Sequence, residues 1–187
     1  MTIETSSDLR EYFRERLGAA LVRHGVPASE GARFYLVELL ASFALDPGRV
    51  QVGEPFALQL AEAAETSGPE RARRLKALGD GALYVCGFFA DHLERRGVSR
   101  SYVASLGGRA YMLVAHLPGG QVYAELADGF LGYASAFDDV REETALRTPQ
   151  DLVRLYERWR RTGSPRLAER LREEGVFPQH GKGRVLH

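Results

Sequence analysis

The chain has 187 residues, 44% of them hydrophobic and 27% charged, with 25 basic residues balanced by 25 acidic ones. That length suits one domain burying roughly 70% of its unfolded surface, and the composition is that of an ordinary soluble globular protein. Zero net charge provides no global field for nucleic acid or an anionic membrane, and a single cysteine, Cys86, excludes disulfide frameworks and thiolate metal clusters within the chain.

In chain order the apolar period is helical almost throughout. The opening MTIETSSDLREYF lacks the basic-then-apolar pattern of a signal peptide, and the longest apolar run, Ala82 to Ala90, is too short to span a bilayer. A cytoplasmic location is therefore expected, and the preference for arginine over lysine suggests a GC-rich bacterial source. Ser6, Ser7 and Asp8 offer N-caps for a first helix carrying Leu9, Phe13, Leu17, Ala20 and Leu21, stopped at Gly25 and Pro27. Ser29 opens a second, apolar on more than one side through Phe34, Leu36, Val37, Leu40 and Phe43, which ends at Asp46-Pro47-Gly48. Val50 to Gly53 reads as a brief extended piece, and Pro55 suits the first turn of FALQLAEAAET, closed at Ser67-Gly68-Pro69.

The next helix, from about Glu70 to Arg96, is the most informative. It carries Gly79, Gly81 and Gly87 inside an apolar pattern, although each interior glycine costs about 1 kcal/mol relative to alanine. Close approach of a second backbone would offset that loss. The following helix, capped by Ser99, has its own small residues (Ala104, Gly107, Gly108, Ala110) beside Tyr102, Leu106, Leu113 and Leu117. The pair reads as a tightly packed antiparallel hairpin turning at Gly97. Beyond Pro118-Gly119-Gly120, one amphipathic helix runs from Val122 through Phe130, Leu131 and Phe137 to Asp138-Asp139. Thr148-Pro149 then begins DLVRLYERWRRTG, with Leu152, Leu155, Tyr156 and Trp159 on one face, and Ser164-Pro165 begins a short last helix ending at Gly175. The fold class is all-α: a single irregular multi-helix bundle over residues 1–175, of about seven or eight helices around the glycine-containing hairpin, with 176–187 as a tail.

Few recognisable chemistries fit this pattern. Gly79-Asp80-Gly81 is not a phosphate loop, because Tyr84 stands where a third glycine belongs and no strand precedes it. The five histidines, at 24, 92, 116, 180 and 187, have no metal-ligand spacing, so no metal and no cofactor are expected. Cys86, flanked by Val85 and Gly87, reads as a small buried hydrophobe. The C-terminal arginines from Arg154 to Arg172 alternate with glutamates and read as a solvated, ion-paired face, so no nucleic-acid surface is expected.

Two carboxylates stand out. Asp80 lies mid-helix among apolar residues, where an unpaired charge would cost several kcal/mol, and Glu38 is similarly placed in FYLVELLASF. Arg109 or a tyrosine hydroxyl would satisfy Asp80. The aromatics Phe34, Tyr35, Tyr84, Phe88, Phe89, Tyr102, Tyr111, Tyr123, Phe130 and Tyr133 read as core. Without a recognisable catalytic motif, catalytic residues are unknown and the pattern leans away from an enzyme. The expected role is a non-enzymatic protein-interaction or regulatory module, with a protein partner or a second copy of the chain. The alternative is an enzyme or small-ligand-binding protein with a polar pocket between the central helices, its candidate residues Glu38, Asp80, Tyr84 and Tyr111.

Taken together, FYLVELL at 34–40, Leu78-Gly79-Asp80 with Leu83-Tyr84 and Gly87-Phe88-Phe89, Tyr102 with Leu106-Gly107 and Ala110-Tyr111, LYERW at 155–159 and Thr162-Gly163-Ser164 resemble a family of uncharacterised bacterial proteins of about this length. The resemblance covers most of the chain in the same order. It implies a bacterial, cytosolic, all-helical protein and transfers no activity or catalytic residue. Val103 departs from it, standing where a second tyrosine is expected beside Tyr102.

Overall fold

The computed structural model describes residues 3–46, 55–143 and 149–178. Among these the chain is all-α, a bundle of ten helices with no strand. They are α1 (Ile3–Arg23), α2 (Glu30–Leu45), α3 (Phe56–Ala64), α4 (Gly68–Phe88), α5 (Ala90–Arg95), α6 (Arg100–Ala115), α7 (Gln121–Asp128), α8 (Phe130–Glu143), α9 (Pro149–Thr162) and α10 (Pro165–Glu173). Pro47 and Gly48, the expected extended piece at Val50–Gly53, Thr148 and the tail beyond Pro178 lie outside the described residues.

Helix α4 is the axle. Every residue from Leu78 to Phe88 is buried, and α4 packs along α6 on one side and α8 on another. The glycines do permit close packing, with two different neighbours. Gly79 faces the Tyr111 ring of α6, where a Cβ would lie 2.5 Å from ring carbons; Gly107 of α6 faces Ala82 and the Phe130 ring. Gly87 instead faces α8, against Phe137 and the Ala134 carbonyl. The third interior glycine, Gly81, meets only the Phe56 ring at an ordinary 3.6 Å.

Three helices end in the same way. Gly25, Gly97 and Gly175 adopt φ of 62°, 69° and 80°, a region that favours glycine. Each is followed by valine, whose N–H reaches back across the last turn: Val26 to the Leu21 carbonyl, Val98 to Leu93 and Val176 to Leu171, at 3.0, 2.9 and 2.8 Å. These are Schellman terminations, in which the residue after the glycine also adds an apolar contact. Val176, 2% exposed, anchors the start of the expected tail to the core. At the opposite ends, Ser29 and Ser99 act as N-caps, their hydroxyls accepting from the N–H groups of Ala32 and Tyr102.

Four expectations need correction. The first helix extends to Ile3 and does not start at the Ser6–Asp8 caps. The helix expected over 70–96 is kinked at Phe89, with φ −127° and ψ 28°, dividing α4 from α5. The helix expected from Val122 to Phe137 is interrupted at Gly129. At both points the hydrogen-bond ladder nearly continues, since Leu93 N–H still donates to Phe89 and Tyr133 N–H to Gly129. A kink that keeps its bonds preserves the apolar period, so the sequence pattern passes through it. Finally, Phe34 and Tyr102 are not core aromatics: they are 64% and 52% exposed, and Leu117 and Leu131 also face outward.

Candidate functional site

α2 is held against α1 and α9, while α4 is held against α6 and α8. Between α2 and α4 this leaves an open cleft of about 440 Å³, lined on its polar sides by Tyr35, Glu38, Ser42, Arg73, Lys76 and Asp80. Leu39 and Phe43 form its apolar floor, with Ala77 exposed at its edge. The pocket expected within the glycine-bearing hairpin is thus displaced by one helix. The α4–α6 seam is closed by the Tyr111 and Phe130 rings against its glycines, and the open side of α4 faces α2.

Asp80 is the centre of a hydrogen-bonded node joining three helices. Tyr35 of α2 donates to its Oδ1 at 2.5 Å, Tyr111 of α6 donates to the same oxygen at 2.8 Å, and Lys76, one turn back on α4, donates to Oδ2 at 2.6 Å. The Lys76 ammonium also lies 5.0 Å above the centre of the Tyr35 ring, within cation–π range. Tyr123 completes the aromatic surround, 5.5 Å from Tyr35 and 5.9 Å from Tyr111. Burial, followed by the nearby Asp80 carboxylate, pushes both Tyr35 and Tyr111 well above the ordinary phenol range, so each remains a protonated donor.

Glu38 is engaged separately. Arg10 of α1 grips it in a two-bond fork, Nε to Oε1 at 2.5 Å and Nη2 to Oε2 at 3.0 Å. The pair is about one-third exposed, so Glu38 is not the unpaired charge that its apolar surroundings would make costly. Across the cleft, Arg73 extends from α4 and pairs at the surface with Glu70. Ser42 donates to the Leu39 carbonyl, which leaves its oxygen able to accept.

Of the four candidate residues, the structure places Asp80 and Glu38 on the cleft and Tyr111 behind it as a donor to Asp80. It does not bring Tyr84 to them. Tyr84, 1% exposed, belongs to the aromatic core, its ring 4.5 Å from Phe43 and stacked at 4.9 Å on Phe88. Arg109, offered as a partner for Asp80, lines a separate depression with Met112 and Asp128. Sequence reasoning missed Tyr35 and Lys76 as members of the site. Lys76 had a usable signal, because a lysine one turn before a buried aspartate on the same helix is an ion-pair spacing.

Cys86 is fully buried, and burial pushes its thiol up to about 12, against a smaller opposing pull from Arg100. The folded protein therefore keeps this proton between about pH 9 and pH 12, where the unfolded chain releases it, so the thiol withdraws stability as pH rises through that window. At pH 8 a water-soluble disulfide reagent is expected to leave the folded protein unlabelled for hours and to label one thiol per chain within minutes in denaturant. Equal rates in the two states would contradict the burial argument.

Among the described residues there is no group of three or more His, Cys, Asp or Glu side chains that could hold a metal ion, and no helix long and apolar enough to cross a membrane. No protein-family model, curated protein or solved structure matches the chain.

Proposed function

We propose that the α2–α4 cleft binds a small organic anion, and that the protein is a ligand-binding helical module of the bacterial cytosol. The observation that carries this reading is the imbalance between used acceptors and unused donors. Both Glu38 oxygens are occupied by Arg10, and both Asp80 oxygens by the tyrosines and Lys76. An ammonium has three donors, and the bond from Lys76 to Asp80 uses one. Arg73 presents a five-donor guanidinium three residues away on the same helix. A carboxylate or phosphate entering the cleft meets these cations first, while Phe43 and Leu39 offer an apolar floor to its body. The volume falls in the range of small-molecule sites.

Each carboxylate is held by a cation in the resting protein, Glu38 by Arg10 and Asp80 by Lys76, which disfavours its taking a proton from a substrate and supports binding over catalysis. The test is a titration of isotopically labelled protein with benzoate, 4-hydroxybenzoate and inorganic phosphate. Amide shifts are expected to localise to α2 and α4. A charge-assisted hydrogen bond contributes about 1.5–3 kcal/mol, so Arg73→Gln and Lys76→Gln are each expected to weaken binding about tenfold or more. The reading fails if no anion of this set perturbs the cleft, or if both variants bind as tightly as the parent.

A further inference from the structure

A second concavity, of about 380 Å³, lies on the other side of the Arg10–Glu38 pair, between α1 and α2. These consecutive helices are joined by residues 24–29, and Arg10 meets Glu38 near the middle of each, so the two run antiparallel and the groove extends from that pair toward the loop. The floor is apolar: Leu17, Leu21 and Val37 lie there, each almost wholly buried, and Phe34 forms a wall with its ring 64% exposed. Gly18 lines the floor beside them. A Cβ built there meets nothing within 4 Å, so the missing side chain leaves a notch that no other part of the fold fills. Arg14 and Arg33 stand along the same groove with Glu30, so that beyond the Arg10–Glu38 pair its lining holds two cations and one anion. Arg14 is paired at the surface with Glu11, whereas Arg33 has no ion-pair partner among the described residues.

We infer that this groove is a binding site for an amphiphilic anion: an unbranched acyl chain lying over Leu17, Gly18 and Leu21 beside Phe34, with its carboxylate on Arg33 and Arg14. Two observations select this occupant. An interior helix glycine facing empty space is unfavourable for the helix, and here it creates room of a size that small-molecule sites use. The exposed apolar surface at the groove is mainly one phenylalanine ring, far below the roughly 800 Å² per partner of a stable protein interface. A chain-like apolar body with one negative end matches an apolar floor bordered by a guanidinium that has no ion-pair partner among the described residues.

Sodium decanoate, used below its micelle threshold, is the probe, with binding followed by calorimetry and by amide shifts. A Cβ at position 18 meets nothing within 4 Å, so Gly18→Leu extends its side chain into the groove and is expected to melt no lower than the parent and to weaken decanoate binding at least tenfold. Arg33→Gln is expected to weaken it severalfold and to shift the optimum toward uncharged decanol. Retention of parental affinity by Gly18→Leu overturns the inference, as do amide shifts confined to α2 and α4. If sedimentation shows a dimer that Gly18→Leu dissociates, the groove seats a second copy and the amphiphile assignment is likewise overturned. The outcome is independent of the α2–α4 cleft, whose own variants, Arg73→Gln and Lys76→Gln, leave this groove intact.

Discussion

Asp80→Ala is expected to lower the unfolding free energy by about 3 kcal/mol, read as a fall in thermal midpoint of about 6–12 °C for a chain of this size. The loss has identifiable parts. Tyr111 is fully buried, so removing its acceptor leaves a hydroxyl with neither carboxylate nor water, at a cost of about 1–3 kcal/mol. Tyr35 loses its partner as well, and a small cavity opens between three helices. Lys76 adds little, because its side chain is 43% exposed and can turn to solvent. Asp80→Asn keeps one carbonyl acceptor at nearly the same place and is expected to lose about half as much. Tyr111→Phe removes donor and demand together, and is expected to cost only about 1 kcal/mol. Chemical denaturation of the three variants checks the order; an Asp80→Ala midpoint equal to the parent's would mean that the node contributes nothing to the fold.

The second large effect is expected at Gly87. A methyl group there collides with the Phe137 Cβ and comes within 3.1 Å of the Ala134 carbonyl oxygen. These atoms belong to the backbone of α8 or sit next to it, so a side-chain rotation does not relieve the overlap and α4 and α8 must separate. Overpacking of this kind costs about 1–3 kcal/mol, partly offset by about 1 kcal/mol of improved helix propensity. Gly87→Ala is therefore expected to lose about 1–2 kcal/mol, and the bulkier Gly87→Val about 3 kcal/mol or more. Gly108 is the internal control: its Cβ position has only the Ala127 carbonyl nearby, at an ordinary 3.7 Å, and Gly108→Ala is expected to be neutral or stabilising. Thermal melts of the set decide the point, and equal effects at 87 and 108 would reject close packing as the reason for glycine in α4.

Much of this architecture was legible because it is written in local chemistry. Gly25, Gly97 and Gly175 mark helix ends whatever the tertiary context, since a positive φ favours glycine over other residues. The three interior glycines of α4 identified the packed centre correctly, yet gave no indication of which neighbour each one faced. Gly79 turned out to serve α6 and Gly87 to serve α8, a division that depends on helix rotation and on the register of partners far away in sequence. The cleft was harder still. Asp80 and Tyr111 were recognisable as a buried carboxylate and a tyrosine in need of a partner, but the third helix of the node, carrying Tyr35, is 45 residues away. Tyr84 was misplaced for a simple reason. It follows Asp80 by one turn on α4, which carries it about 6 Å along the axis. That step takes it from the polar cleft into the stack with Phe43 and Phe88.

The position of Lys76 has a consequence for affinity. Its ammonium sits between the Tyr35 ring and the Asp80 oxygen before any guest arrives, and Asp80 is itself tied to two phenols from separate helices. A long cationic side chain ordinarily surrenders about 0.5–1.5 kcal/mol of rotational freedom when an incoming molecule immobilises it. Here part of that cost falls on folding, so even a guest of only a few heavy atoms would meet an ammonium already oriented by its two neighbours.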